Sequence, residues 1–249
     1  MIIDDNTLFK ATGFGATPCH GGYGKWHKPH SYRRPGKWMP LIEGIYPCVR
    51  GYHICKGEQV LHWLNEELYE VEIKGEQIRE DNKIVASEAR LVRRITTWNK
   101  RTARLFACDC AEHVLFLFRK KFPSDSRPRE VIDVARRYAN GKATEEELGK
   151  ARHGAAIANY TAGNVAFDVY TDRDPLISTS YSIASYAARA AEETARIGAH
   201  HAAYIAAEDA VSAVTYGCRL YSPEEKLARS QERAWQWNRL LKYLNGEIS

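Results

Sequence analysis

The chain has 249 residues, 44% of them hydrophobic and 27% charged, and a mean hydropathy of -0.49. Such a composition excludes an intrinsically disordered chain and a membrane protein, and it supports a real core. Thirty-six Lys and Arg stand against 31 Asp and Glu, and this mild charge of +5 does not call for a nucleic-acid partner. The start, Met1-Ile2-Ile3-Asp4-Asp5, has no basic stretch leading into an apolar one, so export is not expected. Six cysteines without an export signal read as reduced thiols in a cytoplasm.

In chain order, residues 8–11 form a short opening strand. Residues 12–47, with seven Gly and five Pro, must be mostly loop. A loop of this length is either a functional surface or a lid that packs back on a sheet. It carries aromatic and Arg side chains suited to anchoring a partner: Tyr23, Trp26, Tyr32, Arg33, Arg34 and Trp38. A strand over residues 51–55 leads into a short helix over 57–64. Residues 68–74 then alternate Tyr69, Val71 and Ile73 with Glu70, Glu72 and Lys74, the period of a half-buried strand that Gly75 should end. Two further β runs, 83–86 and 89–95, complete the first part.

Beyond Thr96-Thr97 the period changes from two to 3.6. Ala103, Ala107, Cys110, Val114 and Leu117 line one face of a helix from about residue 99 to 121, and Pro123 stops it. Pro128 opens and Gly141 closes a second helix. Thr144 and Glu147 form a capping box for a third, from residue 145 to about 160 and extendable to 170. Residues 178–217 are Ala-rich, with a break at Gly198. The last helix opens at Ser222-Pro223 and places Leu227, Ala234, Trp237, Leu241 and Leu244 on its apolar stripe. The expected fold is α+β: a small α+β module over residues 1–97 followed by an all-α bundle of five or six helices over 98–249.

The residues that carry chemistry are scattered. Cys19, His20, His27, His30, Cys48, His53 and Cys55 are concentrated early in the chain, but none has the paired spacing of a zinc site, and no metal is expected. In Cys108-Asp109-Cys110-Ala111-Glu112-His113, Asp109 and His113 are one helical turn apart and can pair, while Cys110 and His113 could form a nucleophile pair at i,i+3 with nothing nearby to activate a leaving group. Asp109, Glu112, His113, Arg127 and Arg129 read together as a surface polar cluster. The common signatures of phosphate-binding loops, dinucleotide folds, serine hydrolases and zinc proteases are absent.

The run from Leu105 through Cys108-Asp109-Cys110-Ala111-Glu112-His113 to Leu115, followed by Ser124-Asp125-Ser126-Arg127-Pro128-Arg129-Glu130 and Ala135-Arg136-Arg137-Tyr138, resembles an all-helical immunity-protein domain. That domain belongs to bacterial polymorphic toxin systems and also occurs in actinobacterial and phage proteins. The likeness extends to the closing Arg233-Ala234-Trp235-Gln236-Trp237, and it implies an all-α fold and a non-enzymatic role in binding and neutralising another protein. The first part, through Leu8-Phe9-Lys10-Ala11, Gly51-Tyr52-His53-Ile54-Cys55 and Tyr69-Glu70-Val71-Glu72, is similar to a small phage-borne domain of unknown function. Its order of elements also resembles ADP-ribosyltransferases. That alternative implies an enzyme using NAD, with Lys10, His53 and Glu88 around the nicotinamide ribose; otherwise no cofactor is expected. Lys10 replaces the usual Arg or His, no Ser-Thr-Ser strand is present, and Glu88 matches by order alone.

Overall fold

A computed structural model describes residues 2–19, 24–31, 34–171, 175–196, 198–218 and 221–248. Among these residues four strands precede six α-helices: β1 (Leu8–Thr12), β2 (Tyr52–Lys56), β3 (Glu67–Arg79), β4 (Ile84–Arg94), then α1 (Lys100–Lys121), α2 (Arg127–Ala139), α3 (Glu145–Thr171), α4 (Pro175–Glu193), α5 (Ala199–Thr215) and α6 (Pro223–Leu244). The chain forms two compact units, residues 1–99 with 240–249, and residues 100–239. Among the described residues no helix is long and apolar enough to cross a membrane.

In the first unit β1 pairs with β2 and β3, and β4 pairs with β2 and β3, all antiparallel, so the small sheet closes into a barrel in the order β1-β2-β4-β3. Closure leaves no free strand edge among the four. Ile54, Tyr69, Val71, Ala89 and Leu91 share one buried cluster with Ala16 and Trp26. Gly75 does not end its strand. At φ +75° it sits in a bulge of β3, opposite Ser87, whose Oγ would lie 2.2 Å from an added Cβ. The two β runs expected on either side of Ser87-Glu88 are one continuous strand, β4. A 3-10 helical turn, Gly57–His62, follows β2. The long segment before β2 packs back on the sheet: Gly36, Met39 and Ile42 donate their backbone N–H groups to Leu91, Ala89 and Ser87 carbonyls at 2.8, 2.9 and 3.0 Å.

In the second unit α1 packs against α2, α4 and α5, and α3 packs against α2 and α4. Every residue from Thr102 to Ala111 is buried, so α1 is enclosed on all sides rather than on one face. Small side chains make this possible. Ala184, Ala187, Ala188 and Ala191 on α4 and Ala203, Ala206, Ala207 and Ala210 on α5 are fully buried, which lets backbones approach closely. The capping box of α3 forms as its residues require: Glu147 N–H donates to Thr144 Oγ1 at 3.1 Å and Thr144 N–H to Glu147 Oε2 at 2.7 Å. The stripe of α6 differs from expectation. Leu227 is 59% exposed and Ala234 is exposed, while Glu232, Arg233 and Gln236 are buried with Trp237 and Leu240. These polar groups bond to one another and to α5: Gln236 Nε2 donates to Glu232 Oε1 and to the Ala207 carbonyl, both at 2.9 Å, and Arg233 pairs with Glu208.

Candidate functional site

A cavity of about 600 Å³ lies in the barrel unit. Lys10 and Ala11 from β1, Tyr52, His53 and Cys55 from β2, and Cys19, Trp26, Cys48, Trp63 and Lys83 from the connections contribute to its wall. Lys10 Nζ donates to the His53 carbonyl at 2.9 Å and stands 5.4 Å from the centre of the Trp26 ring. The Trp26 backbone N–H donates to the Ala16 carbonyl at 3.1 Å, and its ring meets the Tyr52 ring edge-on at 5.3 Å. His53 Nε2 accepts the Cys48 backbone N–H at 3.0 Å, and Cys48 adopts φ +62° in doing so. That bond requires Nε2 to be unprotonated.

Burial dominates the titration of this cavity. It lowers Lys10 from the ordinary lysine value, against weaker opposing effects of Cys55 and Cys19. It lowers His53 as well, assisted by the nearby Lys10 and Lys83. The Cys55 thiol is pushed up to about 12 and Cys19 is raised, so both stay protonated at neutral pH. Lys83 is held above its usual value by Glu80, 2.7 Å away.

Of the three residues required for NAD chemistry, Lys10 and His53 come together in this cavity, whereas Glu88 is not among its lining residues. Glu88 sits opposite Lys74 in the β3–β4 register and pairs with it at 2.9 Å. Of the early Cys and His residues, Cys19, Cys48, His53 and Cys55 share the cavity and His27 and His30 do not line it; His20 lies outside the described residues. Among the described residues no group of three His, Cys, Asp or Glu is arranged to hold a metal ion.

Of the six expected binding anchors, Tyr23, Tyr32 and Arg33 lie outside the described residues. Trp26 is 6% exposed, so the expectation of an exposed anchor fails there: its ring fills the barrel core instead. Trp38 is clasped between Lys74 Nζ and Arg90 Cζ, 4.6 and 4.8 Å from its ring centre. Arg34 is exposed.

The helical polar cluster is more deeply set than a surface patch. Asp109 is buried and accepts bonds from Arg136 at 2.9 Å and Arg239 at 2.7 Å, not from His113. Glu112 pairs with Arg129 and Arg136. His113 Nδ1 lies 2.9 Å from Glu232 Oε2, and its ring stacks on Trp235 at 3.7 Å. Arg127 turns to Asp125. Cys110 is fully buried and burial raises its thiol, which removes it as a nucleophile beside the exposed His113. Arg136, Arg239 and Glu232 complete this network, and no spacing in the sequence links α6 to α1.

One feature of the second unit faces outward. Ile157, Tyr160 and Phe167 on α3 are 42%, 71% and 67% exposed. At intervals of three and seven they share one face of the helix, next to exposed His153 and Asn164.

Residues 93–167, from the end of β4 through α1 and α2 into α3, match the family described as Imm-5 like putative immunity protein. No curated protein and no solved structure matches the chain. The segment from α1 to α3 is therefore immunity-protein-like, in keeping with its helical build.

Proposed function

We propose that the chain is a non-enzymatic binding protein whose helical unit captures and neutralises another protein. The match of residues 93–167 to an immunity-protein family carries this reading. Ile157, Tyr160 and Phe167 support it, because large apolar side chains sharing an exposed helix face are the usual anchors of a protein interface. The ion pairs of Asp109 and Glu112 with Arg129, Arg136 and Arg239 tie α1 to α2 and α6 within the helical part. The working compartment in this reading is a cytoplasm, of a bacterium or of a phage host, which suits six unpaired thiols.

The test is neutralisation. Proteins captured by the tagged chain from its own cells are expressed singly in a heterologous bacterium. One of them should arrest growth, and co-expression of the chain should restore it. Tyr160→Asp with Phe167→Asp should lose both capture and rescue while the melting temperature stays within a few degrees, since exposed side chains contribute little to stability. Rescue by the double variant equal to that by the wild type would move the surface elsewhere, and the absence of any captured toxic protein would overturn the reading.

A further inference from the structure

The barrel cavity has a charge balance that its protein groups do not close. Among its described lining residues four are cationic, Lys10, Lys25, Arg50 and Lys83, and none is a carboxylate. Lys83 is compensated by Glu80. Lys10, Lys25 and Arg50 have no carboxylate partner among the described residues. The Lys10 ammonium carries three donors, and among the described residues its one hydrogen bond goes to the neutral His53 carbonyl. The groups nearest to it do not supply a negative charge either: Cys55 and Cys19 are thiols held protonated by burial, and His53 is neutral. A partly buried ammonium that meets one neutral acceptor and no carboxylate among the described residues, facing a cavity, is unfavourable unless an anion completes it.

The size and the wall give the rest of the ligand. A volume of about 600 Å³ suits an organic molecule rather than a simple ion. Trp26, Tyr52 and Trp63 offer aromatic surface, with Met39 and Ile42 beside them. Lys25 and Arg50 are exposed, which places them toward solvent while Lys10 is deeper. Three uncompensated cations match the charge of a phosphate monoester, close to -2 at neutral pH, better than that of a single carboxylate.

We propose that this cavity binds a small phosphate monoester bearing a planar ring, the class to which mononucleotides belong. Lys10 meets the phosphate, Arg50 and Lys25 close over it, and the aromatic side chains take the ring. The site lies in the barrel unit and does not depend on the protein-binding role of the helical unit.

The experiment is calorimetric titration of the full chain with adenosine and uridine 5′-monophosphates, with adenosine and inorganic phosphate as the two half-ligands. At least one nucleotide should give a saturable heat, and each half-ligand should bind at least about tenfold more weakly, the loss of one charge-assisted hydrogen bond or its equivalent. Lys10→Met should weaken the nucleotide by about the same factor, while Lys150→Met, an equal charge change on the surface of α3, should not. A second measurement needs no variant: acetylation of Lys10, read by mass spectrometry, should slow in saturating nucleotide while that of Lys150 does not. No saturable binding by either nucleotide, undiminished binding by folded Lys10→Met, or unprotected Lys10 would each overturn the proposal.

Discussion

Arg239 Nε donates to Asp109 Oδ2 at 2.7 Å, and Arg136 reaches the other oxygen of the same carboxylate at 2.9 Å. One buried acid on α1 thus holds one arginine from α2 and one from α6. Removing it leaves two guanidinium groups short of a partner, although Glu112 still engages Arg136. Asp109→Ala should therefore destabilise the protein by about 3 kcal/mol, the usual consequence of breaking a buried ion pair from one side. Arg239→Ala should cost less, since Asp109 keeps Arg136. Urea denaturation of both variants measures this, and a loss below ~1 kcal/mol for Asp109→Ala would show that solvent replaces the carboxylate.

How far the sequence reveals these arrangements depends on the distance over which its pattern acts. The period-2 run at Tyr69, Val71 and Ile73, the capping box at Thr144 and Glu147 and the Pro and Gly breakers around α2 are local, and each forms as read. Gly75 misleads because glycine serves a bulge as readily as a strand end, and only the partner residue Ser87 decides between them. On α6 the polar residues Glu232 and Gln236 are buried because their partners lie on α1 and α5, so a hydropathy pattern assigns them to the surface. The cavity is legible only in its ingredients. Lys10, His53 and Lys83 become neighbours through barrel closure, which no spacing along the chain encodes.

Acid should act on the turn between α1 and α2. Arg127 beside Asp125 holds that carboxyl below its ordinary value, with partial burial opposing and the Arg127 backbone N–H adding to the effect. A depressed carboxyl contributes stability that is complete above its unfolded value, roughly pH 4, and is lost as pH falls through its lower folded value. At pH 7 Asp125→Asn should be less stable than wild type by about 0.5–1 kcal/mol, the scale of a partly exposed pair. That gap should close between about pH 5 and 2. Denaturant midpoints taken across this range provide the check; a gap independent of pH would assign the loss to packing.

Thiol reactivity should divide along burial. Cys48 is exposed, Cys19 and Cys218 are intermediate, and Cys55, Cys108 and Cys110 are buried, with Cys55 and Cys108 pushed up to about 12. Since the thiolate is the nucleophile, a chromogenic disulfide should react fastest at Cys48 and reach the three buried residues only on unfolding. Cys48→Ser should abolish the fast phase. If the fast phase persisted in that variant, Cys19 or Cys218 would be its source, and the exposure order would need revision.

The final residues of the chain stabilise its beginning. The Asn245 side chain accepts the Ile3 backbone N–H at 2.8 Å and donates to the Ile3 carbonyl at 3.0 Å, while Thr97 Oγ1 donates to the Leu244 carbonyl at 2.7 Å. Leu240, Tyr243 and Leu244 are buried in the same unit as the barrel. Asn245→Ala should thus cost about 1–2 kcal/mol, because it leaves two backbone groups of Ile3 without partners. A chain ending at Arg239 should lose far more, because it also removes three large buried side chains, each contributing roughly 1.5–3 kcal/mol. Hydrogen exchange locates the effect: the amides of Phe9, Leu68 and Ile95 should exchange faster in the shortened chain, and those of Ala107 and Cys110 on α1 should keep their protection. Equal acceleration on α1 would mean that the ten residues stabilise both units through one cooperative transition, and unchanged exchange at Phe9 would mean that the barrel holds without them.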